Sequence, residues 1–264
     1  MLRKFILTAA LSAAPAMAQD NPSSVPDTPI TDDDNVNDVN MAGNPSGLYV
    51  SGEVSLLTDY RFRGVSRSDE DPAGQAALTL SHGSGLYAGL RATTLKGADP
   101  FRARDPGFGD LGDVEVDLYA GWRANLGGGF DLDAGLTYYV FAGGEGATDY
   151  VEPYASIGYL IGPVTLSGGA RYAPAQDATG GEDILYLFGQ AEFTIPFRPW
   201  SFIAQAGRQD WGAYGRYWTW SLGVEHHVQI EGLPATYLGL RYIDTDFAAP
   251  GADAGLAASL TVRF

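Results

Sequence analysis

The 264-residue sequence contains no cysteine and only three histidines. A disulfide framework, a thiolate metal site and a cysteine nucleophile are therefore excluded. Positive charge is also scarce, because 16 Lys and Arg residues stand against 32 Asp and Glu residues, giving a net charge of −16. Nucleic-acid binding requires clustered Lys and Arg, so we expect no nucleic-acid partner. We also predict no cofactor, no metal site and no catalytic residues.

The sequence lacks an apolar run long enough to cross a membrane as a helix. Residues 5–14 are apolar, follow Arg3 and Lys4, and precede the small-residue site formed by Ala16, Met17 and Ala18. This order is typical of a secretory signal peptide. We predict a signal peptide over residues 1–18, cleavage near Ala18 and export of the remaining chain.

Residues 19–47 contain six aspartates and no basic residue. Low hydrophobicity combined with like charges predicts a disordered segment. The stretch DDDNVND within it lacks the central glycine and the closing glutamate of a calcium-binding EF-hand loop, so a solvated tether is the better interpretation. The role of this acidic segment stays open.

From Leu48 onward the sequence has no convincing helical periodicity, and apolar residues recur instead at every second position. This pattern predicts twelve strands. Their ranges are 48–62, 73–82, 86–94, 114–124, 130–139, 150–161, 164–173, 184–195, 202–210, 216–228, 236–243 and 254–264.

The connections between these segments alternate in length. Short connections at 82–85, 127–129, 162–163, 196–200 and 229–234 alternate with longer ones at 64–72, 95–112, 142–149, 174–183 and 244–253; the short connection at 211–215 is the exception. Short turns at one rim and long loops at the other are typical of outer-membrane β-barrels. The predicted fold is all-β: a transmembrane, antiparallel, up-and-down barrel over residues 48–264, with short periplasmic turns and longer extracellular loops.

The two faces of these strands differ in chemistry. One face is apolar and carries aromatic residues that suit a membrane interface: Tyr60, Phe62, Trp122, Phe130, Tyr138, Trp218, Trp220 and Phe264. The other face carries the charged residues that we predict to line a pore: Glu53, Asp59, Arg61, Arg63, Arg91, Glu115, Asp117, Arg123, Asp131, Asp133, Glu152, Arg171, Glu192, Glu225 and Arg241. Burying so many charges in a dry core is prohibitive, which favours a barrel with a wet lumen over a β-sandwich.

The final segment ends on Phe264, and this ending resembles the signal by which outer-membrane proteins engage their assembly machinery. Three stretches are similar to the TorF family of porins from Gram-negative bacteria. They are TDYRFRG at 58–64, the loop at 68–72 that ends in Pro72, and SHGSGLYAG at 81–89. The resemblance extends over roughly residues 48–264. It implies an outer-membrane pore of undefined substrate and no catalytic residues.

Three functions remain in competition. The first is a porin-like channel for passive diffusion of small polar or charged solutes through a narrow lumen, in which the arginines form a basic ladder facing the acids. The second is a plugged structural or interaction barrel, in which the same charges form cross-strand salt bridges. The third is an outer-membrane hydrolase. It is disfavoured because His82, His226 and His227 all fall near the short-turn, periplasmic rim, which is the wrong end for acting on outer-leaflet lipid or external peptides. Outer-membrane lipid is an expected partner, whereas the solute and the oligomeric state stay undetermined.

Overall fold

The computed structural model of the protein describes residues 47–96, 110–229, 232 and 234–264. The predicted signal peptide and the acidic segment, apart from Gly47, lie outside the described residues. The described chain forms fourteen strands. In chain order these are Leu48–Leu57 (β1), Arg61–Phe62 (β2), Val65–Ser66 (β3), Ala73–His82 (β4), Leu86–Thr94 (β5), Val114–Gly127 (β6), Phe130–Ala142 (β7), Tyr150–Ile161 (β8), Val164–Ala173 (β9), Ile184–Thr194 (β10), Trp200–Trp211 (β11), Gly215–Val228 (β12), Ala235–Thr245 (β13) and Gly255–Arg263 (β14).

Twelve of these strands form one closed antiparallel barrel in which sequence neighbours pair in order, and β1 closes the ring by pairing with both β4 and β14. At the seam Glu53 lies opposite Arg263, and Ser55 lies opposite Thr261. The hydroxyl groups of Ser55 and Thr261 are hydrogen-bonded at 2.9 Å. The predicted twelve-stranded closed barrel is therefore confirmed. Closure leaves no unpaired sheet edge.

The barrel is apolar outside and polar inside, as strict two-residue alternation requires. Along β1, Val50, Val54 and Leu56 are exposed on the outer surface, whereas Glu53 and Ser55 are buried inside. Within the described residues no helix is long and apolar enough to cross a bilayer. The only helical turns in the described part of the chain are two short 3-10 turns, Asp177–Thr179 and Gly212–Tyr214.

The first predicted strand is wrong at its end. It was expected to run to Phe62, but β1 ends at Leu57 and the chain then leaves the wall. Residues 58–72 hold the two-stranded pair β2–β3, which is separate from the barrel sheet. Leu57 pairs directly with Ala73, so the wall continues as though residues 58–72 were an insertion.

A hydrophobic core lies inside the barrel at the end where the long connections are found. It contains Leu57, Tyr60, Tyr139, Phe141 and Trp211 among its buried members, with Phe62 packed against it. This core exists because the inserted segment brings apolar side chains between the walls. The long-loop end is consequently packed like the interior of a soluble protein.

Candidate functional site: a hairpin across the barrel interior

We call residues 58–72 the inner hairpin. Its strands pair Arg61 with Ser66 and Phe62 with Val65, so Arg63 and Gly64 form a two-residue turn. Both turn residues have positive φ, 52° at Arg63 and 88° at Gly64, as a type I′ turn requires. A Cβ atom on Gly64 would lie 2.7 Å from Thr219 Oγ1, so glycine also permits close approach to β12. Arginine is unusual at a positive φ, and its contacts explain its presence there.

The inner hairpin is braced from within by Asp59. Its Oδ2 accepts a hydrogen bond from Arg61 Nε at 2.5 Å, and its Oδ1 accepts bonds from the hydroxyls of Ser66 at 2.6 Å and Ser68 at 3.2 Å. The Ser68 hydroxyl also accepts a 2.8 Å bond from the backbone N–H of Tyr60. One carboxylate thus ties the start of the hairpin to its return strand.

A first attachment joins the inner hairpin to β6. Tyr60 donates its hydroxyl proton to Glu115 Oε1 at 2.9 Å, and Arg67 Nη1 lies 2.5 Å from Glu115 Oε2. The Arg67 guanidinium also lies 3.7 Å above the ring centre of Phe62. Both oxygens of this buried carboxylate are therefore bound by the hairpin.

A second attachment joins the turn to β8 and β11. Arg63 donates to Glu152 Oε1 at 2.5 Å through Nη2, and to Gln209 Oε1 at 3.0 Å through Nη1. The other oxygen of Glu152 accepts bonds from Arg171 at 3.3 Å and Tyr139 at 3.2 Å. The Glu152 side chain is completely buried, so its charge depends on these partners.

A third attachment reaches the connection between β13 and β14. Arg61 Nη1 donates to the carbonyl oxygen of Asp253 at 2.5 Å, and the backbone N–H of Ser66 donates to the carbonyl oxygen of Gly251 at 2.8 Å. The inner hairpin starts from the β1–β4 side of the ring and is held at β6, β8, β11 and the β13–β14 connection. It therefore crosses the barrel interior at the long-loop end.

This geometry corrects the prediction for the TDYRFRG stretch. Tyr60 and Phe62 were expected on the outer face as interface aromatics, yet Tyr60 is buried with its hydroxyl on Glu115, and Phe62 packs on the inner core. The reason is that the chain turns inward after Thr58, which is exposed and still hydrogen-bonded to Ala258 of β14, so the side chains from Asp59 onward are enclosed whichever way they alternate. Asp59, Arg61 and Arg63 are inside as expected, but they belong to the hairpin rather than to a strand of the wall.

The other predicted interior charges lie on barrel strands and point inward. Ten are buried and two, Arg123 and Asp131, are half-buried. The ten are Glu53, Arg91, Glu115, Asp117, Asp133, Glu152, Arg171, Glu192, Glu225 and Arg241. Several lie in opposite-charge pairs, such as Glu53 with Arg263 at 2.7 Å and Arg123 with Asp133 at 3.1 Å. This pairing favours the cross-strand arrangement over a ladder of arginines without counter-ions.

A second polar cluster lies toward the short-turn end. Tyr87 donates its hydroxyl proton to Asp133 Oδ1 at 2.5 Å and also contacts the hydroxyl of Tyr154. Tyr119 packs near Tyr87 and shares a 2.6 Å hydrogen bond with Thr79. These contacts all join side chains on strands of the barrel wall. The short-turn end is therefore bonded from wall strand to wall strand, whereas the long-loop end is bonded through the inner hairpin.

Sequence reasoning missed Arg67 and Arg263 as interior charges. Arg263 occupies the inward position of the alternating ending LTVRF, so the period of two was a sufficient signal for it. Arg67 carried no such signal, because it belongs to a segment that was assigned to an external loop. Its link to Glu115 depends on the folding of that segment inward.

The remaining predicted interface aromatics are on the outer surface: Trp122, Phe130, Tyr138, Trp218, Trp220 and Phe264. Phe264 also closes the seam, because it exchanges two backbone hydrogen bonds with Gly52 at 2.7 and 3.0 Å. A Cβ atom on Gly52 would lie 2.5 Å from the Phe264 ring, so this residue pair is tightly fitted.

The three histidines lie near the short-turn end. His82 Nδ1 is 2.8 Å from the Ser84 hydroxyl within one exposed turn, the His226 ring packs against Trp200 at an interplanar angle of 34°, and His227 stacks on Tyr237. Within the part of the chain that the structure describes, no group of three His, Asp or Glu residues is placed to hold a metal ion. The aromatic stacking is sufficient to explain His226 and His227.

One ion pair at the long-loop rim is exposed to solvent. Lys96 contacts Asp71 at the end of the inner hairpin, and this hydrogen bond raises the pKa of Lys96 above its usual value. The backbone N–H of Lys96 also donates to the carbonyl oxygen of Arg67 at 3.0 Å. The connection after β5 therefore contacts the hairpin from the rim.

Fold and site together define a closed twelve-stranded β-barrel with an apolar outer surface, a charged interior and a segment folded across that interior. Residues 41–258 match the family described as "Bacterial protein of unknown function (Gcw_chp)", and the chain belongs to this family. No curated protein matches the chain in sequence. The likeness to TorF porins stays a prediction.

Solved porin structures share the fold. The KdgM porin superposes with a TM-score of 0.54 at 7% identity, covering 81% of this chain and 98% of that chain. The NanC porin superposes with a TM-score of 0.52 at 12% identity, covering 82% and 99%. A KdgM structure described in complex with disordered oligogalacturonate has a TM-score of 0.51 at 7% identity, covering 81% and 97%. At these identities the likeness is one of fold.

Proposed function

We propose that this protein is a porin-like channel of the Gram-negative outer membrane that passes small polar or charged solutes by passive diffusion. The observation that carries the proposal is the closed barrel with exposed leucines outside and paired charges inside. Closure satisfies every backbone group in lipid, and an apolar outer band suits hydrocarbon. A lumen with this many charged groups is best stabilised by water.

The solute path is proposed to follow the inward charges on β1 and β4–β14 and to narrow at the inner hairpin. Arg63 and Arg67 lie there in direct contact with Glu152 and Glu115 of the wall, so the field at the narrowing runs between the hairpin and the wall. Such a transverse field orients small polar solutes during passage. The hairpin is thus the proposed selectivity element.

Planar-bilayer recording tests the channel. We expect purified wild-type protein to give small conductance steps. A variant in which residues 59–71 are replaced by four Gly and Ser residues should give larger steps, because the pairing of Leu57 with Ala73 leaves the wall closed. Absence of steps from both proteins, with the barrel shown to be folded, would sink the proposal.

A plugged barrel without transport is the second candidate, and a specific observation favours it: the hairpin is held at β6, β8, β11 and the β13–β14 connection. The same recording separates the two functions. Steps only from the hairpin-replaced variant would assign the plugged barrel, whereas steps from the wild type would assign the channel.

Export through the predicted signal peptide and assembly into the outer membrane complete the proposal. Phe264 is proposed to engage the barrel-assembly machinery, in addition to closing the seam against Gly52. Deletion of Phe264 should lower the amount of folded barrel in outer-membrane fractions. Unchanged assembly would restrict Phe264 to its structural contact. We expect no enzymatic activity.

A further inference from the structure

A cavity of about 50 Å³ lies between the inner hairpin and the barrel wall at the long-loop end. The hairpin contributes Phe62, Arg63 and Arg67 to its lining, and the wall contributes aromatic residues that include Tyr150 and Trp211. The strand pairing and the hairpin attachments described above do not depend on this cavity being empty. The chemistry of its lining residues therefore indicates which kind of ligand it could bind.

The charge of the lining is opposite to that of the chain. Among the described residues, two arginines line the cavity and no Asp or Glu does, although acidic residues outnumber basic ones by 32 to 16 in the sequence. The acids that pair with these arginines, Glu115 and Glu152, lie behind them on the wall. From the described lining residues, a ligand in the cavity thus meets guanidinium groups and no carboxylate, which favours an anion.

Arg67 is the better placed of the two arginines. A guanidinium has five N–H donors, and Arg67 gives one from Nη1 to Glu115 and also contacts Tyr150. The Arg67 guanidinium is fixed in position because it stacks 3.7 Å from the ring centre of Phe62 and pairs with the buried carboxylate of Glu115. Toward the described residues Arg67 therefore has further donors available for a planar carboxylate, which arginine binds well because the geometries match.

The rest of the lining suits an apolar or ring-shaped body. Phe141, Tyr150, Trp211 and Tyr217 supply ring surfaces, and Gln209 adds a side-chain amide. Small-molecule sites typically combine such apolar walls with a few polar groups that fix orientation. The lining therefore matches an organic acid better than an inorganic anion.

The size of the cavity limits the ligand. At about 10–15 Å³ for each water-sized group, the cavity holds roughly three to five such groups. That is room for a carboxylate and the first atoms of its body. The surrounding loops carry acids such as Glu145, Asp149 and Glu182, and like charges disfavour a polyanion. A single carboxylate avoids most of this repulsion.

We propose that this cavity binds the carboxylate head of a small, singly charged organic acid with a ring-shaped or apolar body, with Arg67 receiving the carboxylate. This inference deepens the proposed function, since the cavity then becomes the first docking point for a solute that arrives from the loop side. The binding itself requires no transport.

Isothermal titration calorimetry on the full-length barrel in detergent tests the proposal, with sodium benzoate as the probe. Benzyl alcohol serves as the uncharged counterpart, and oligogalacturonate serves as the polyanion. We expect saturable binding of benzoate, and binding of the other two that is weaker by tenfold or more, because charge-assisted hydrogen bonds supply most of the affinity. Equal binding of benzoate and benzyl alcohol, or no benzoate binding, would overturn the proposal.

Two variants locate the site. Arg67→Gln should weaken benzoate binding about tenfold or more, whereas the matched control Arg216→Gln, at an exposed arginine paired with Asp210, should change it less than twofold. Because Arg67→Gln also removes a hairpin attachment, Ala147→Phe fills the cavity from an exposed lining position. We expect it to weaken binding while leaving the Glu115 contacts in place. Benzoate affinity that is unchanged by both variants would place the ligand elsewhere and refute the assignment.

The outcome is separable from that of the channel experiment. Benzoate binding in detergent combined with a silent bilayer would support the site and refute the channel. Conductance steps without benzoate binding would support the channel and refute the carboxylate site.

Discussion

The two ends of the barrel interior solve the problem of buried charge in different ways. At the long-loop end, the inner hairpin inserts Arg63 against Glu152, with the two side chains 5% and 0% exposed. At the short-turn end, Arg263 and Glu53 pair across neighbouring strands of the wall, and the arginine side chain is 18% exposed. The first pair fixes a crossing segment, whereas the second only joins one strand to the next.

This difference separates barrel stability from passage through the barrel. Loss of an ion pair between two wall strands, such as Glu53 with Arg263, leaves the cross-section of the barrel interior nearly unchanged. Loss of an ion pair between the inner hairpin and the wall, such as Arg63 with Glu152, releases a segment that crosses the interior. Variants at the two ends should therefore differ in conductance even where they cost similar free energies of unfolding.

The largest effect is expected for Glu152→Gln, which removes the carboxylate shared by Arg63 and Arg171. Breaking a buried charge pair leaves an uncompensated charge, so we expect the free energy of unfolding to fall by about 3–5 kcal/mol. Urea unfolding in lipid vesicles, followed by tryptophan fluorescence, measures it. The control is Glu53→Gln at the short-turn end, where Arg263 is partly exposed to solvent and the expected loss is smaller, about 1.5–3 kcal/mol. Equal losses at the two sites would contradict the expectation that the fully buried pair is the more costly one to break.

Arg63→Gln should have the next largest effect. It removes charge-assisted bonds to Glu152 and Gln209 that contribute about 1.5–3 kcal/mol, which raises the population of undocked hairpin by about tenfold or more. We expect more frequent large conductance steps in planar bilayers. Arg263→Gln is the matched control and should leave the step distribution unchanged. If both variants behave alike, the hairpin is not the element that limits passage.

Much of the wall was predictable from sequence, because a period of two places each side chain inside or outside. The alternation of Val50, Val54 and Leu56 with Glu53 and Ser55 is the structure of β1. The same rule failed after Leu57, because the hairpin residues alternate just as regularly. What distinguishes them is contact with Glu115 and Glu152, which are far away in sequence. Only the closed ring brings these groups together, so no local pattern reveals the inward fold.

Tyr60→Phe is expected to have a smaller effect, because Glu115 keeps its contact with Arg67 after the hydroxyl is lost. The loss in free energy of unfolding should be about 1 kcal/mol. Tyr119→Phe, which removes a hydrogen bond to Thr79 within the wall, should cost a similar amount. Only Tyr60→Phe should change the conductance, since Tyr119 does not touch the hairpin. A conductance change in both variants would show that hydroxyls at either end control passage.

The smallest effect is expected for Lys96→Met, which removes the exposed partner of Asp71. Bonding to Asp71 raises the folded-state pKa of Lys96 above the unfolded value of about 10.4. The stabilising contribution is therefore fully present below that unfolded pKa and is lost only as the pH rises through the folded-state pKa. That contribution is small because solvent screens an exposed pair, so between pH 6 and 9 the variant should have an unfolding midpoint only slightly below that of the wild type and the same conductance. A released hairpin in Lys96→Met, seen as large conductance steps at pH 7, would mean that the rim contact holds the segment more strongly than the buried arginines do.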